Sequence, residues 1–180
     1  WFMGNMKKQS IIIFEGPDGC GKTNISMALS KILDIPYFKN RAEWDFFEND
    51  PAYFKNCLTY GAPFLLSYLQ QSQASVIEDR GHPSEWVYSR VFNRETNEKV
   101  LELVDQKYAD LGAKIIVPVR SDYTGVVDQF DSVNAEKLDR IHDVYTEFLK
   151  WTACETLVIN VDDENLDREL NEIMHFLGEE

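Results

Sequence analysis

The apolar residues of this chain follow two spacings that alternate along its length. Short runs rich in apolar residues, typical of buried strands, lie at 11–14, 74–78, 114–119 and 156–161, and Tyr37–Phe38 indicates a further short strand. Between these runs, apolar residues recur every three or four positions, as they do on one face of a helix. Strand and helix therefore alternate. This predicts an α/β fold of three layers, in which a mostly parallel five-stranded sheet is flanked by helices.

The helical spacing also predicts where each helix starts. The expected helices begin near Gly21, Asp50, Phe64, Pro83, Val100, Asn134, and Asp162 or Asp163. Asp50–Pro51 is typical of a helix start, because Asp accepts from the free N–H groups of the first turn and proline fits there. Gly61–Pro63 predicts an interruption before the helix at Phe64. Since no repeat or linker divides the chain, residues 1–180 are expected to form a single domain.

Charge narrows the classes of partner. The 180 residues carry 31 acidic and 18 basic side chains, which gives a net charge of −13. A surface so acidic disfavours nucleic acid polymers and anionic membranes as partners. Small phosphorylated substrates stay compatible with it, because a few local basic groups can overcome the global field.

The cysteines and the N-terminal residues indicate the cellular compartment. Cys20, Cys57 and Cys154 are widely spaced and form no paired motif, which favours a reducing, cytoplasmic setting over a disulfide framework or a zinc site. No apolar run approaches the ~20 residues of a membrane-spanning helix. Trp1–Asn5 are interpreted as an atypical leader ahead of a natural start at Met6, and they are left out of the fold prediction.

The strongest chemical signal follows the first strand. Residues 16–23 read Gly-Pro-Asp-Gly-Cys-Gly-Lys-Thr and fit the G-x-x-x-x-G-K-[ST] pattern of phosphate-binding loops. The loop N–H groups can surround phosphate oxygens, Lys22 can reach the β- and γ-phosphates of ATP, and Thr23 can bind Mg²⁺. A plain glycine-rich turn is the alternative, but the apolar strand before the loop and the amphipathic segment after it favour a P-loop NTPase fold. The predicted ATP-binding residues are Gly16, Gly19, Cys20, Gly21, Lys22, Thr23 and Arg120.

Charged residues also follow the other strands, at the edge where parallel sheets bind ligands. Asp79 and Arg80 end the third strand, Arg41 follows the second and Arg120 the fourth. Asp79 is the predicted acidic partner of Thr23 at Mg²⁺, since phosphoryl transfer depends on positioned charge. Arg80 and Arg41 are predicted to hold an acceptor phosphate through bidentate hydrogen bonds. The alternatives are an Asp that caps a helix and arginines that pair with surface carboxylates.

Three of these segments resemble motifs of the thymidylate kinase family. Phe14–Thr23 reads F-E-G-P-D-G-C-G-K-T and is similar to the family's F-E-G-x-D-G-x-G-K-T loop. Asp79–Tyr88 resembles its D-R-Y-x-x-S-x-x-x-Y segment, and Phe38–Arg41 resembles its F-P-x-R motif with Lys39 in place of proline. The resemblance implies a P-loop kinase that uses ATP and Mg²⁺ on small nucleotide substrates. It also implies a homodimer.

The resemblance assigns roles at the acceptor. Asp18 would meet the sugar 3′-hydroxyl, Arg41 and Arg80 would hold the acceptor phosphate, and Asp79 would organise Mg²⁺. Tyr88 would lie against the sugar and disfavour a ribose 2′-hydroxyl. The catalytic residues would be Lys22, Asp79 and Arg80.

For the base, the resemblance leaves alternatives open. Ser84 or Glu85 would approach the base from the helix that follows Asp79. An aromatic side chain normally stacks on the thymine, and Phe64, Tyr60 and Tyr68 can each fill that role. Phe64 is the residue we predict.

The sequence departs from the family at its catalytic arginine. Thymidylate kinases carry that arginine in the phosphate loop or in the lid, whereas this loop has Cys20. The expected lid, residues 120–133, has no arginine after its first residue. The nearest basic residue after the lid is Lys137. Arg120 at the start of the lid, or Arg140 beyond its end, is the predicted substitute.

Other departures leave two alternative functions. Gly81 replaces the family's Tyr, and residues 56–79 contain no arginine that could contact the base. Glu43–Trp44 resembles a pair near the acceptor in deoxynucleoside kinases. The alternatives are therefore a deoxynucleoside kinase with Glu43 or Asp79 as general base, and a nucleotide-binding regulator with little catalysis.

The favoured function is that of an ATP-dependent deoxynucleoside monophosphate kinase. Its acceptor would be a pyrimidine similar to dTMP, and its product a deoxynucleoside diphosphate. Arg90 and Arg94 are expected to lie on a solvated helix face. His82, His142 and His175 are scattered along the chain and are given no catalytic role.

Overall fold

Five parallel strands in the described part of the chain form one sheet. The structure is a computed structural model, and it describes residues 8–39, 61–126 and 135–179. The strands are Ile11–Phe14 (β1), Tyr37–Lys39 (β2), Val76–Asp79 (β3), Lys114–Val119 (β4) and Glu155–Asn160 (β5). Their spatial order is β2-β3-β1-β4-β5, and every neighbouring pair is parallel. The predicted α/β fold is confirmed, and within these residues the sheet is fully parallel.

The central position of β1 follows from its composition. All four of its side chains are apolar and buried, as expected for a strand that is covered on both faces. Phe14, its last residue, is in register with Asp79 of β3, and Asp79 is in register with Lys39 of β2 on its other side. The carboxyl ends of three strands therefore meet at one level, next to the loop that leaves β1.

Six helices within the described residues cover the sheet. They are Lys22–Leu33 (α1), Ala62–Ser72 (α2), His82–Val91 (α3), Glu98–Asp110 (α4), Ala135–Trp151 (α5) and Leu166–Leu177 (α6). α1 packs against α6, and α3 packs against α4 and α5. The α3–α5 contact is aromatic: the ring of Trp86 lies 5.6 Å from that of Phe148 and 5.5 Å from that of Trp151. No described helix combines the length and apolar character that crossing a membrane requires.

Two predicted helix starts differ from the structure. α2 begins at Ala62, two residues before the predicted start at Phe64, and has Pro63 in its first turn, where a missing N–H costs nothing. The helix predicted before it lies outside the described residues. α6 is capped by Asn165, whose side chain accepts from the N–H of Arg168; the prediction of Asp162 or Asp163 as the cap is wrong. Both aspartates have other partners: Asp162 accepts from the N–H of Ser121, and Asp163 pairs with Arg168.

Some predictions fall on residues outside the described ranges. These are the helix at Asp50–Pro51, the cap at Asn134, and the site residues Arg41, Glu43 and Tyr60. The first part of the expected lid, residues 120–126, is described and is irregular.

Candidate active site

The phosphate loop leaves β1 and folds closely against the neighbouring strand and the start of the lid. Gly16 has a φ of 129°, and a Cβ there would lie 2.7 Å from the carbonyl oxygen of Pro118 in β4. Gly19 has a φ of 78°, and a Cβ there would overlap the side chain of Val126. Both positions therefore require glycine for conformation and for space. The loop ends at Gly21, which precedes α1, so the free N–H groups of the first helical turn face the loop.

Lys22 lies folded over this loop. Its ammonium donates to the carbonyl oxygen of Pro17 at 2.5 Å and is 3.8 Å from the carboxylate of Asp18. Burial lowers the pKa of Lys22 to about 8, and the positive charge of Arg80 acts in the same direction. An anion in the loop would favour the charged form, so this lysine is suited to gain a phosphate partner.

Thr23 and Asp79 form the second part of the site, beside the first helical turn. The Thr23 hydroxyl donates to Oδ2 of Asp79 at 2.7 Å, and the Tyr37 hydroxyl donates to the same oxygen at 2.8 Å. The Lys39 ammonium donates to Thr23 Oγ1 at 2.8 Å and lies 3.3 Å from Asp79 Oδ2. Two oxygens that already share a cation fit a divalent metal, since Mg²⁺ prefers such hard ligands.

Asp79 is charged in this arrangement. Burial raises its pKa, but the hydrogen bonds from Thr23 and Tyr37 and the charges of Lys39 and Lys22 outweigh burial and hold the pKa below its ordinary value. A carboxylate with a low pKa is a good metal ligand and a weak general base. This agrees with the predicted metal role, which stays a prediction.

Asp18 and Arg80 meet across the loop. The guanidinium of Arg80 donates to Oδ1 of Asp18, and the Tyr88 hydroxyl donates to its Oδ2 at 3.0 Å. Burial raises the pKa of Asp18, but the charges of Arg80 and Lys22 outweigh it, so the pKa lies below its ordinary value. The Tyr88 ring lies beneath the guanidinium, 5.3 Å from it. Three predicted acceptor residues therefore form one cluster beside Lys22.

Behind Arg80 lies a buried carboxylate whose role the sequence analysis did not predict. Glu15 accepts from the N–H of Gly81 at 2.6 Å, from the Ser84 hydroxyl at 2.8 Å and from the Tyr145 hydroxyl at 2.7 Å. It also lies 3.9 Å from the guanidinium of Arg80. Glu15 thus ties the loop to the start of α3 and holds Arg80 from the side away from Asp18. The hydroxyl of Ser84 is used in this contact, and its predicted role at the acceptor stays a prediction.

Arg80 has a left-handed backbone, which is unusual for a residue other than glycine. Its φ is 72°, at the turn between β3 and α3. Such a conformation costs about 1 kcal/mol or more and persists only where surrounding contacts fix it. Asp18, Glu15 and Ser84 provide those contacts through the side chain. The strain fits a guanidinium whose position is set by the site.

The side chain of Cys20 lies in the protein interior. Its thiol is buried and lies 3.8 Å from the hydroxyl of Tyr123, which in turn lies 3.2 Å from Nδ1 of His142. Burial raises the pKa of the Cys20 thiol. Cys20 can therefore contribute to phosphate binding only through its backbone N–H. His142, which the sequence analysis gives no catalytic role, links α5 to the loop through Tyr123.

Arg120 lies at the rim of the loop. Its Nε donates to the carbonyl oxygen of Gly19 at 3.0 Å, and its guanidinium pairs with Glu164 at 2.8 Å. The arginine is thus held beside the loop by two contacts. Its predicted roles, ATP binding and substitution for the family's catalytic arginine, stay predictions.

Two arginines on and after α3 have structural partners, which corrects the prediction of a solvated helix face. Arg90 lies 3.6 Å over the ring of Trp86 and pairs with Glu98. Arg94 follows α3 and pairs with the buried Glu85 through two contacts, at 2.9 and 2.6 Å. The pairing uses both carboxylate oxygens of Glu85, whose predicted contact with a base stays a prediction.

Two of the three aromatic residues predicted to stack on a base, Phe64 and Tyr68, lie on α2. Phe64 is 77% exposed and Tyr68 55% exposed. A ring this exposed is open to a ligand. Phe64 therefore stays a prediction.

A second buried polar cluster lies behind β3. The Tyr108 hydroxyl donates to Glu78 at 2.9 Å, and its ring stacks on His82 at 4.9 Å. His82 lies 2.8 Å from Asp105, which also accepts from Thr152 at 2.6 Å. Burial raises the pKa of Glu78 to about 8. This cluster joins β3, α3, α4 and the end of α5, and it contains none of the predicted site residues.

A transition-metal site is not apparent in residues 8–39, 61–126 and 135–179. No three His, Cys, Asp or Glu side chains there are grouped so as to hold a metal ion. Cys20 and Cys154 are both free and buried. The pair of oxygens from Thr23 and Asp79 is instead suited to a metal that arrives with phosphate oxygens as further ligands.

Comparison with known proteins shows where else this fold occurs. No protein-family model matches the sequence, and the search of curated proteins found no match. The YorR protein from Bacillus subtilis, solved with phosphorylated GDP, has a TM-score of 0.69 and 21% identity, over 93% of this chain and 95% of that one. Thymidylate kinase from Ehrlichia chaffeensis has a TM-score of 0.62 and 16% identity, over 96% and 100% of the two chains.

A third similar structure is deoxyadenosine kinase from M. mycoides with bound dCTP. It has a TM-score of 0.59 and 20% identity, over 94% of this chain and 99% of that one. At such identities the likeness shows the fold alone. It confirms the expectation of a P-loop kinase fold of the kind found in thymidylate kinases.

Proposed function

We propose that this protein is an ATP-dependent deoxynucleoside monophosphate kinase whose acceptor is a pyrimidine similar to dTMP. The observation that carries the proposal is the Asp18–Arg80 ion pair, which lies beside Lys22. Lys22 belongs to the loop that binds the donor phosphates, and Arg80 offers a cation to a second phosphate. The two cations frame a space where one phosphate can be transferred to another.

The donor side is formed by the loop and the start of α1. Its N–H groups and Lys22 bind the phosphates of ATP, and Thr23 and Asp79 would hold Mg²⁺. The metal, when bound, neutralises charge on the phosphate oxygens during transfer. Lys22 leaves the carbonyl oxygen of Pro17 and donates to the phosphates instead, which restores its charge.

The acceptor side is formed by Asp18, Arg80 and Tyr88. Arg80 binds the acceptor phosphate, and Glu15 and Ser84 keep its guanidinium oriented. Asp18 accepts from the sugar 3′-hydroxyl, as it does from Tyr88 in this structure. The preference for a deoxypyrimidine follows from the resemblance of these residues to thymidylate kinase, which also suggests Arg41 as a second phosphate ligand.

A deoxynucleoside kinase is supported less well. That reaction needs a carboxylate that accepts a proton from a sugar hydroxyl. Asp79 has a lowered pKa and its Oδ2 accepts from Thr23 and Tyr37, which suits a metal ligand better than a base. Asp18 is bound to Arg80, a cation that an uncharged acceptor does not require. Glu43, the other predicted general base, lies outside the described residues.

The test is a coupled ADP-release assay with each deoxynucleoside and each deoxynucleoside monophosphate as acceptor. We expect turnover with a pyrimidine monophosphate and none above background with nucleosides. Lys22→Met is the control that should abolish turnover while it keeps the fold. Turnover with nucleosides alone would favour the alternative kinase. Tight ATP binding without turnover of any acceptor would overturn both.

A further inference from the structure

Lys39 occupies an unexpected place at the end of β2. The family motif that Phe38–Arg41 resembles has proline at this position. In the parallel pairing of β2 with β3, Lys39 is in register with Asp79. Its ammonium therefore reaches the edge of the sheet at the point where Asp79 meets Thr23.

The hydrogen-bond directions show which position the ammonium fills. Thr23 uses its hydroxyl hydrogen to donate to Asp79 Oδ2 at 2.7 Å, which leaves only the oxygen lone pairs free. The Lys39 ammonium donates to Thr23 Oγ1 at 2.8 Å and lies 3.3 Å from Asp79 Oδ2. A metal bound by Thr23 would need the same lone pair. The lysine and a divalent cation cannot both occupy this position, because two cations at such short range repel each other strongly.

Lys39 is also the most exposed of the four described cations at the site. Its side chain is 36% exposed, against 7% for Lys22, 22% for Arg80 and 19% for Arg120. A lysine side chain has a flexible stem, and at this exposure water can replace the contacts that its ammonium makes with Thr23 and Asp79. Lys39 can therefore leave Thr23 at small cost.

We propose that Lys39 is a displaceable counter-ion: it fills the divalent-metal position in the nucleotide-free protein and moves onto the phosphates of ATP when that position is taken. The inference rests on the proposed function only in that ATP is the ligand. Without metal, Lys39 stays at Thr23 and still contacts the nucleotide, so it supports binding of metal-free ATP. When the metal is bound, the Lys39 ammonium contributes less to the affinity for ATP, because the metal already supplies positive charge at the phosphates.

The test is the affinity for ATP measured by calorimetry, in excess EDTA and in excess Mg²⁺, without any acceptor. The quantity compared is the dissociation constant in EDTA divided by the dissociation constant in Mg²⁺. For Lys39→Met we expect this ratio to rise about tenfold or more, because metal-free ATP loses one charge-assisted hydrogen bond. Lys39→Gln should act in the same direction. Lys39→Arg, which keeps the charge, should stay within about threefold of wild type.

Lys31→Met is the matched control, because Lys31 is an exposed lysine at the other end of α1 and its loss removes the same charge from the surface. It should leave the ratio unchanged. An unchanged ratio in both Lys39→Met and Lys39→Gln, or an equal change in the Lys31 control, would overturn the role of Lys39 alone. If wild type bound no ATP in either condition, the inference and the proposed function would both fail.

Discussion

The guanidinium of Arg80 and the carboxylate of Asp18 form an ion pair between the phosphate loop and the carboxyl end of β3, 62 positions apart in the chain. Each group has a second neighbour of opposite charge. Lys22 lies 3.8 Å from Asp18, and Glu15 lies 3.9 Å from Arg80. The result is a series of neighbouring side chains with alternating charge: Lys22, Asp18, Arg80 and Glu15. Removing one member should therefore change its neighbours as well as its own contacts.

Asp18→Asn should reduce catalytic efficiency with the acceptor and have little effect on the affinity for ATP. The amide keeps the shape of the side chain but loses the charge that Arg80 and the sugar hydroxyl require. We expect kcat/KM for the acceptor monophosphate to fall about tenfold to a hundredfold, which is the loss of one or two charge-assisted hydrogen bonds. The dissociation constant for ATP should change less, because Asp18 lies 3.8 Å from Lys22 but is expected to bind the acceptor sugar and not the donor phosphates. Steady-state kinetics and calorimetry measure the two quantities.

Tyr145→Phe should test the support of Arg80 by Glu15. The substitution removes the hydroxyl that donates to the buried Glu15 at 2.7 Å and leaves the ring in place. The free energy of unfolding should fall by about 1–2 kcal/mol, because a buried carboxylate loses a partner. The acceptor KM should rise as well, while the affinity for ATP stays the same. A stability loss with unchanged KM would show that Glu15 acts only in folding.

Lys22 should take up a proton when MgATP binds near pH 8. Its pKa of about 8 in the free protein means that the ammonium is partly neutral there. Phosphate favours the charged form, so binding at pH 8 should take up about half a proton, and binding at pH 7 about a tenth. Calorimetry in buffers of different ionisation enthalpy measures this number. Lys22→Arg keeps its charge throughout and should show no uptake, whereas equal uptake in both proteins would contradict the assignment.

Glu78 should make the fold less stable as pH rises. Burial raises its pKa from 4.5 to about 8, so the folded state binds a proton that the unfolded state releases. The contribution of Glu78 to the free energy of unfolding is largest below pH 4.5 and is lost as the pH rises towards 8. Relative to Glu78→Gln, which does not titrate, wild type should lose about 3 kcal/mol of unfolding free energy between pH 5 and pH 8. Denaturant unfolding measures both curves, and parallel curves would contradict the prediction.

The positions of the loop and of the central strands could be predicted from the sequence, because each depends on a few neighbouring residues. The apolar run Ile11–Phe14 and the glycines after it each act within a few residues, and the structure places them as predicted. The position of Asp79 and Arg80 at the carboxyl end of β3 was also predictable, while their roles there stay predictions. The fold followed from the alternation of strands and helices.

Long-range pairings were not predictable in the same way. Lys39 contacts Thr23 and Asp79 only because β2 and β3 pair in a particular register, which the short apolar run Tyr37–Phe38 does not define. The role of Glu15 depends on Tyr145, 130 positions away. The helix cap at Asn165 could not be chosen from the sequence either, because the partner of Asp162 lies 41 positions away and Asp163 pairs with Arg168.

The proposed reaction transfers a phosphoryl group from ATP to the phosphate of a deoxypyrimidine monophosphate. Mass spectrometry of the products tests it, after incubation with ATP, Mg²⁺ and dTMP, with dUMP, dCMP and the three matching deoxynucleosides in parallel. We expect equal amounts of ADP and a deoxynucleoside diphosphate from at least one of the three monophosphates, and no product from Lys22→Met. A monophosphate formed from a deoxynucleoside, with no diphosphate from any of the three monophosphates, would refute the proposed reaction.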